Sequence, residues 1–442
     1  MRLAVGARCE RSAGLRLADG LGHAADVAEA RRAADVEPTI LDGAATAAEW
    51  LDPLSGEPLS RLSPHAWSAD GTRRWPVVDG ILFLRPDRDA LRLAVLADLD
   101  RGDEAGARAR LLVDQDPFAP LPPPSRAEAV ALAADVEAGR ATLRDAMRRL
   151  GFGPVADYFA HRTCTPTHLS GLGLLALHGR PEGTVVDVAC GIGHVLRDLD
   201  ARRVPAIGLD LVFAKLWLAR RFVAPSATLV CGDATRPPLR RSGDAPTTVF
   251  CHDAFYFLPD KVGAAAAWRD LAGPRGRVLV GHAHNAAVDH GVAGTPLAPD
   301  GYAALFPGAA MYDDAEIGRL AVRAQPARKR TAAALAGVEA VSMAWSAAAI
   351  APAAPYWTEL LDPAPGARLV LNPLLHDGDG GGLRPHWPSE RFAAEYRDVP
   401  HLVDPPVHAA DAERALAGGV DDLAARAALA RRRVLLDLPE RW

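Results

Sequence analysis

The sequence predicts an α/β protein with a doubly wound, mostly parallel sheet, preceded by a small β-rich module and a helical linker. Three observations carry that prediction. From Gly183 onward, short apolar runs alternate with helical stretches at βαβ spacing. Several of those runs end in Gly or Asp, where an open sheet places its ligand-binding loops. Ahead of them, residues 50–86 break into short apolar runs separated by Asp-Pro, Ser-Gly and Asp-Gly turn signals, which reads as hairpins.

Taken in order, residues 1–45 are rich in Ala, Arg and Asp, with helical spacing but poor caps. Residues 87–112 read as a helix pair, the prolines from Pro117 to Pro124 as a stiff linker, and 126–150 as helix again. Strands are expected at Thr184–Ala189, Ala206–Asp210, Ala227–Cys231, Thr247–Cys251 and Arg277–Gly281, with helices at His194–Arg202, Val212–Phe222 and Lys261–Leu271. A further helix is expected near Asp314–Ala324, and further strands at Ala340–Trp345 and Ala367–Asn372. The implied organisation is a helical segment over 1–48, the β module over 49–90, a helical and Pro-rich linker over 91–150, the sheet domain over 151–375 with an insertion at 286–335, and an extension over 376–442.

A chain of 442 residues that is 49% hydrophobic has ample material for a core. Its formal charge of −5 argues against a nucleic-acid partner, which calls for a basic face. The basic residues are nearly all Arg, with lysines only at Lys215, Lys261 and Lys329. Cys9, Cys164, Cys190, Cys231 and Cys251 are scattered and never form CxxC, which argues against a disulfide framework or a Cys-based zinc site. The first residues lack a sustained apolar run and no 18-residue apolar stretch occurs, so neither a signal peptide nor a membrane span is expected, and a cytoplasmic setting is the default.

The strongest chemical signal is residues 185–199, VVDVACGIGHVLRDL. An apolar strand ends in Asp187, and a turn containing Gly191 and Gly193 opens a helix. Glycine there allows positive φ and close approach of a ligand. Asp210, 19 residues past Gly191, ends the next strand, where a carboxylate suits ribose hydroxyls. Asp233 follows the third strand, and Cys251-His-Asp-Ala-Phe-Tyr-Phe257 ends the fourth. A nicotinamide dinucleotide site would want a third glycine where Leu196 stands.

This arrangement resembles the class I, Rossmann-like S-adenosylmethionine-dependent methyltransferases over roughly residues 150–285. The resemblance implies a seven-stranded sheet whose last two strands form an antiparallel hairpin, with 340–345 and 367–372 as candidates. It implies S-adenosylmethionine as cofactor, contacted by Asp187, Ala189, Cys190, Gly191, Gly193, Asp210, Leu211, Asp233, Ala234 and His252. Residues 50–86 are similar to a short zinc-ribbon-like domain found beside some methyltransferases. Asp52 and Ser55 stand where zinc-binding members carry Cys, which implies a module without zinc that serves as lid, spacer or partner surface.

The methyl acceptor is expected beyond strands four and five. Those strands deliver His252 and Asp253, then His282 and His284, as candidate proton-handling groups, since imidazole takes a proton near neutral pH. Tyr256, Asn285 and Tyr158 are candidate substrate contacts, and Phe159 and His161 candidate covers of the cofactor. A metal set from His282 and His284 with His290 or Asp289 is a weak pattern, and no metal is expected. The segment 286–335 and the tail from His376 to Trp387 are expected to shape the acceptor pocket. The leading expectation is methyl transfer to oxygen or nitrogen of a small molecule such as a secondary metabolite, with a homo-oligomer left open. The alternatives are an RNA or protein methyltransferase, a non-catalytic cofactor-binding scaffold, and a cofactor-assisted reaction without methyl transfer.

Overall fold

The structure, a computed structural model, describes residues 48–115, 119, 121–288, 293–348, 355–396, 406–418 and 423–442. The expected N-terminal helical segment, part of the proline linker, and Asp289 and His290 lie outside the described residues.

One mixed sheet of eleven strands organises the chain. In chain order its strands are β1 (Ser60–Ser63), β2 (Ala66–Ser68), β3 (Trp75–Val78), β4 (Ile81–Leu84), β5 (Thr184–Val188), β6 (Ala206–Asp210), β7 (Thr228–Gly232), β8 (Thr247–His252), β9 (Arg277–His284), β10 (Ala310–Asp313) and β11 (Ala340–Trp345). Their spatial order is β10-β11-β9-β8-β5-β6-β7-β4-β3-β2-β1. From β9 through β8, β5, β6 and β7 to β4 every pairing is parallel. Such strands are covered on both faces, so they read as apolar runs.

The last pair of the expected seven differs from the sequence reading in one strand. Ala340–Trp345 is in place, antiparallel to both β9 and β10. Its antiparallel edge partner is Ala310–Asp313, joined to it through the helix Asp314–Ala321 and not by a hairpin turn, while Leu369–Leu371 instead pairs with Leu435–Asp437 in a separate small sheet. Four residues, AMYD, give too short an alternation to stand out in a sequence, whereas LVL reads as a strand wherever it pairs. The expected helix beginning at Asp314 is observed and ends at Ala321.

The N-terminal module is continuous with this sheet. Strands β1 to β4 form antiparallel neighbours, and β4 lies parallel to β7 with Ile81 opposite Leu229 and Leu84 opposite Gly232. All four residues of β4 are buried. Ile81 and Phe83 face one core with the helices Asp89–Asp100, Glu104–Leu112, Arg126–Glu137 and Leu143–Arg149. Leu82 and Leu84 face the other, with Trp50, Trp67, Trp75, Val186, Leu209 and Val230. This two-sided period of two fixes the register, since a slip of one residue would exchange the faces.

Asp52 performs a structural task in the module. Its Oδ1 accepts the backbone N–H groups of Leu54 and Ser55 at 2.8 and 3.1 Å, and its Oδ2 accepts the indole N–H of the fully buried Trp75 at 3.0 Å. Replacing Asp52 by Ala strands that indole donor and opens the turn. We expect a loss of about 1–3 kcal/mol of stability, read as a lower denaturant midpoint at unchanged m-value.

Candidate active site

The carboxyl ends of β5, β6, β8 and β9 converge on one side of the sheet. After β5, Ala189, Gly191 and Gly193 all have positive φ (58°, 58° and 81°), so the turn is tight. Asp210, ending β6, ties this turn to its own loop. Its Oδ2 accepts the Gly191 N–H and its Oδ1 the Val212 N–H, both at 2.9 Å. Burial, together with the Asp210 charge, pushes the Asp187 carboxyl well above its usual range. Asp233 is exposed and its Oδ1 accepts the Thr235 N–H at 2.8 Å, while the Ala234 carbonyl accepts the Trp268 indole N–H at 2.7 Å.

A short helix, Val155–Ala160, bridges the two halves of this edge. The Phe159 ring packs over the glycine turn so closely that a Cβ on Gly191 would come within 3.0 Å of it. The Tyr158 hydroxyl donates to Asp253 Oδ2 at 2.6 Å. Asp253 follows β8 with φ 57°, accepts a second hydroxyl from Tyr256 at 2.8 Å, and pairs with Arg162 at 3.0 Å. Burial opposes its charge, but Arg162 and then His282 outweigh that and hold its carboxyl down at about 2.

His282 sits where β9 carries one extra residue against β11, between the Val280–Met343 and Ala283–Val341 pairs. Such a bulge re-aims a side chain, and His282 has φ 51°. Its Nδ1 meets Asp314 Oδ2 at 2.7 Å, and its backbone N–H donates to Asp314 Oδ1 and Ser342 Oγ. Asp314 in turn accepts the hydroxyls of Ser170 at 2.8 Å and Ser342 at 2.6 Å. Burial disfavours the charged ring, yet Asp314 and Asp253 raise His282 to about 9, and His282 holds Asp314 below the usual carboxylate range. The His284 ring lies edge-on to His282 at 4.9 Å and to Tyr256 at 4.6 Å.

The predicted residues thus divide. Asp253, His282, His284, Tyr256 and Tyr158 form one cluster beside the glycine turn. His252 does not join it. Its Nε2 donates to the Thr167 carbonyl at 2.7 Å, and its ring fills a slot where a Cβ on Gly171 or Gly281 would come within 2.8 or 2.4 Å. Burial, then Arg162, lowers it to about 3, so the ring is neutral packing between β8, β9 and the helix Pro166–Leu177. Asn285 is likewise not a substrate contact. It is fully buried, and its amide donates to the Ala336 and Val338 carbonyls at 2.9 and 2.8 Å, pinning the chain beyond β9. His161 supports the bridging helix from behind, against Trp442 and Phe392. The glycine-rich tail closes as a hairpin, Leu375–Asp377 with Leu383–Pro385, and Trp387 packs on the same Phe392.

Sequence reasoning missed Arg162, Asp314, Ser170, Ser342 and Arg85. Asp314 begins the helix after the unrecognised strand β10, so nothing in the sequence pointed it at His282. Arg85, just past β4, donates to the Leu211 carbonyl and is held by Asp87 at 2.5 Å, which ties the N-terminal module to the loop after Asp210.

Residues 186–280 match the family model described as a methyltransferase domain. Among solved structures, the chain is similar to a TehB-like SAM-dependent methyltransferase from Corynebacterium glutamicum, at 14% identity over 40% of this chain and 86% of that one, with a TM-score of 0.29. It is also similar to the Haloferax volcanii complex of the Trm112 methyltransferase activator with a methyltransferase, at 18% identity over 47% and 97%, with a TM-score of 0.34. A third is DesVI of Streptomyces venezuelae, at 22% identity over 30% and 57%, with a TM-score of 0.25. No curated protein matches. Strands β5 to β9 carry an S-adenosylmethionine-dependent methyltransferase domain, and S-adenosylmethionine is its cofactor. Among the described residues, no helix is long and apolar enough to cross a membrane.

Gly191→Ala tests the turn. A side chain at φ 58° costs about 1–2 kcal/mol, and here it also displaces Phe159. A lower Tm and weaker S-adenosylmethionine binding in calorimetric titration are expected together.

Proposed function

We propose that the protein transfers a methyl group from S-adenosylmethionine to an oxygen or nitrogen of a small molecule. The observation that carries this reading is the junction of two sites under one helix: Phe159 covers the glycine turn while the neighbouring Tyr158 bonds Asp253 of the histidine cluster. A cofactor on the turn then has its reactive end toward the cluster.

The residues present fit the cofactor. The turn from Ala189 to Gly193 carries no bulky side chain at Gly191 or Gly193, Ala189, Cys190 and Gly191 are half-buried, and Phe159 covers it as a cofactor-facing ring would. Asp210 ends β6 with a carboxylate suited to ribose hydroxyls, Leu211 is the exposed residue after it, and Asp233 with Ala234 marks the neighbouring adenine end. Asp187 stays beneath the turn. When bound, S-adenosylmethionine supplies an electrophilic methyl group, its sulfur leaving with the C–S electron pair. The chain aligns the acceptor and manages the proton that the acceptor loses. Tyr158, Tyr256 and Arg162 orient Asp253, while Asp314 orients His282. The cluster of Asp253, His282 and His284 lies where that proton must leave, and His284 is the ring between His282 and Tyr256.

Calorimetric titration with S-adenosylmethionine, its demethylated product and NAD tests the reading. Micromolar binding of the first two and none of NAD is expected, and failure to bind the sulfonium overturns it. In Asp210→Ala the affinity should drop by the worth of one or two charge-assisted hydrogen bonds, about 1.5–3 kcal/mol each. An unchanged Kd would refute the ribose placement. In His284→Ala, turnover measured as release of the demethylated cofactor should fall about 10²–10⁴-fold, with cofactor affinity retained.

A further inference from the structure

Strands β8 and β9 bring three metal-ligating side chains to one point. One carboxylate oxygen of Asp253 and one ring nitrogen each of His282 and His284 lie within 4.8 Å of one another. Donors around one divalent ion with bonds near 2.1 Å stand about 3 Å apart. Small side-chain rotations therefore close the set. Among the described residues this is the one group of three or more such side chains.

We propose that Asp253, His282 and His284 bind a divalent transition-metal cation whose open positions take an oxygen of the methyl acceptor. The surroundings are those of ligands held for an ion. His282 meets Asp314 through Nδ1 at 2.7 Å, which leaves Nε2 as the nitrogen to coordinate. Metal-binding imidazoles as a rule donate their other N–H to a carboxylate, a backbone carbonyl or water, and that partner fixes ring and tautomer. Asp314 is fixed in turn by Ser170 and Ser342. Asp253 is oriented in the same manner by Tyr158 and Tyr256. The bulge at His282 brings its ring alongside His284, 4.9 Å apart, within the alternation of a strand.

The donor set also selects the ion. Two imidazoles with one carboxylate suit zinc, iron, cobalt or nickel, whereas magnesium and calcium want oxygen ligands. An acceptor hydroxyl on such an ion loses its proton more readily, as metal-bound water does. The acceptor is therefore of the hydroxyl-bearing class. This role of the ion rests on the methyl-transfer reading; the ligand set does not.

The test is titration of tag-free, chelator-treated protein with Co(II), followed by visible absorption and calorimetry, beside a titration with S-adenosylmethionine. One Co(II) per chain with ligand-field bands is expected. His282→Ala and His284→Ala should each weaken it about tenfold or more, and Asp314→Asn roughly 10- to 100-fold. Absence of saturable Co(II) binding by the wild-type protein overturns the proposal, and so does binding that survives unchanged in both histidine variants. The wild-type titration decides even where a variant does not fold. Cofactor binding without Co(II) binding removes the ion and leaves the methyl-donor reading intact; Co(II) binding without cofactor binding does the reverse.

Discussion

Asp253 and Asp314 are two carboxylates buried on either side of one imidazole, and charge so placed is stable only when paired and hydrogen-bonded. The chain meets that demand by gathering separate elements. Arg162 comes from the segment before β5, Tyr158 from the bridging helix, Ser170 from the next helix and Ser342 from β11. Each of these contacts ties its element to the ends of β8 and β9. The bulge in β9 lets the His282 N–H and ring address the same carboxylate. The site is thus the electrostatic knot that sets how the flanking helices meet the sheet edge.

A second tie runs from the other end of the sheet. Strand β4 covers the edge of β7 that an isolated five-strand parallel core would leave open, and an open edge invites pairing with another chain. Arg85 then reaches from the end of β4 to the Leu211 carbonyl. The loop after Asp210 is therefore braced by a segment more than a hundred residues earlier in the chain. The module is a structural part of the cofactor side of the sheet as well as a neighbour of it.

Much of this was legible in the sequence, and the reasons differ by element. The central strands were readable because burial on both faces makes them apolar runs, and the Gly191–Gly193 turn because only a special backbone needs that pattern. Asp210 was readable as the end of its strand, but its bond to the Gly191 N–H was not. Strand β10 was not, since four residues with one aspartate carry little periodicity. Losing β10 also hid Asp314, and with it the partner of His282. His252 stood among the candidate site residues because it ends the fourth strand and imidazole takes a proton near neutral pH. Its fate depended on Gly171 and Gly281, whose bare backbones make the slot for its ring, and no local pattern reveals that packing. Asn285 was lost similarly, to carbonyls some fifty residues away.

The pairing of β4 with β7 has a bearing on how the chain is born. Residues 81–84 meet their parallel partner only at 228–232, so the contact spans a long loop and closes late. During synthesis the module emerges before β7, with Leu82 lacking the surfaces that later bury it. The helices from Asp89 to Arg149 follow directly and are the first partners available for the Ile81 and Phe83 face. They cover that face until the parallel strand arrives to pair the free edge of β4.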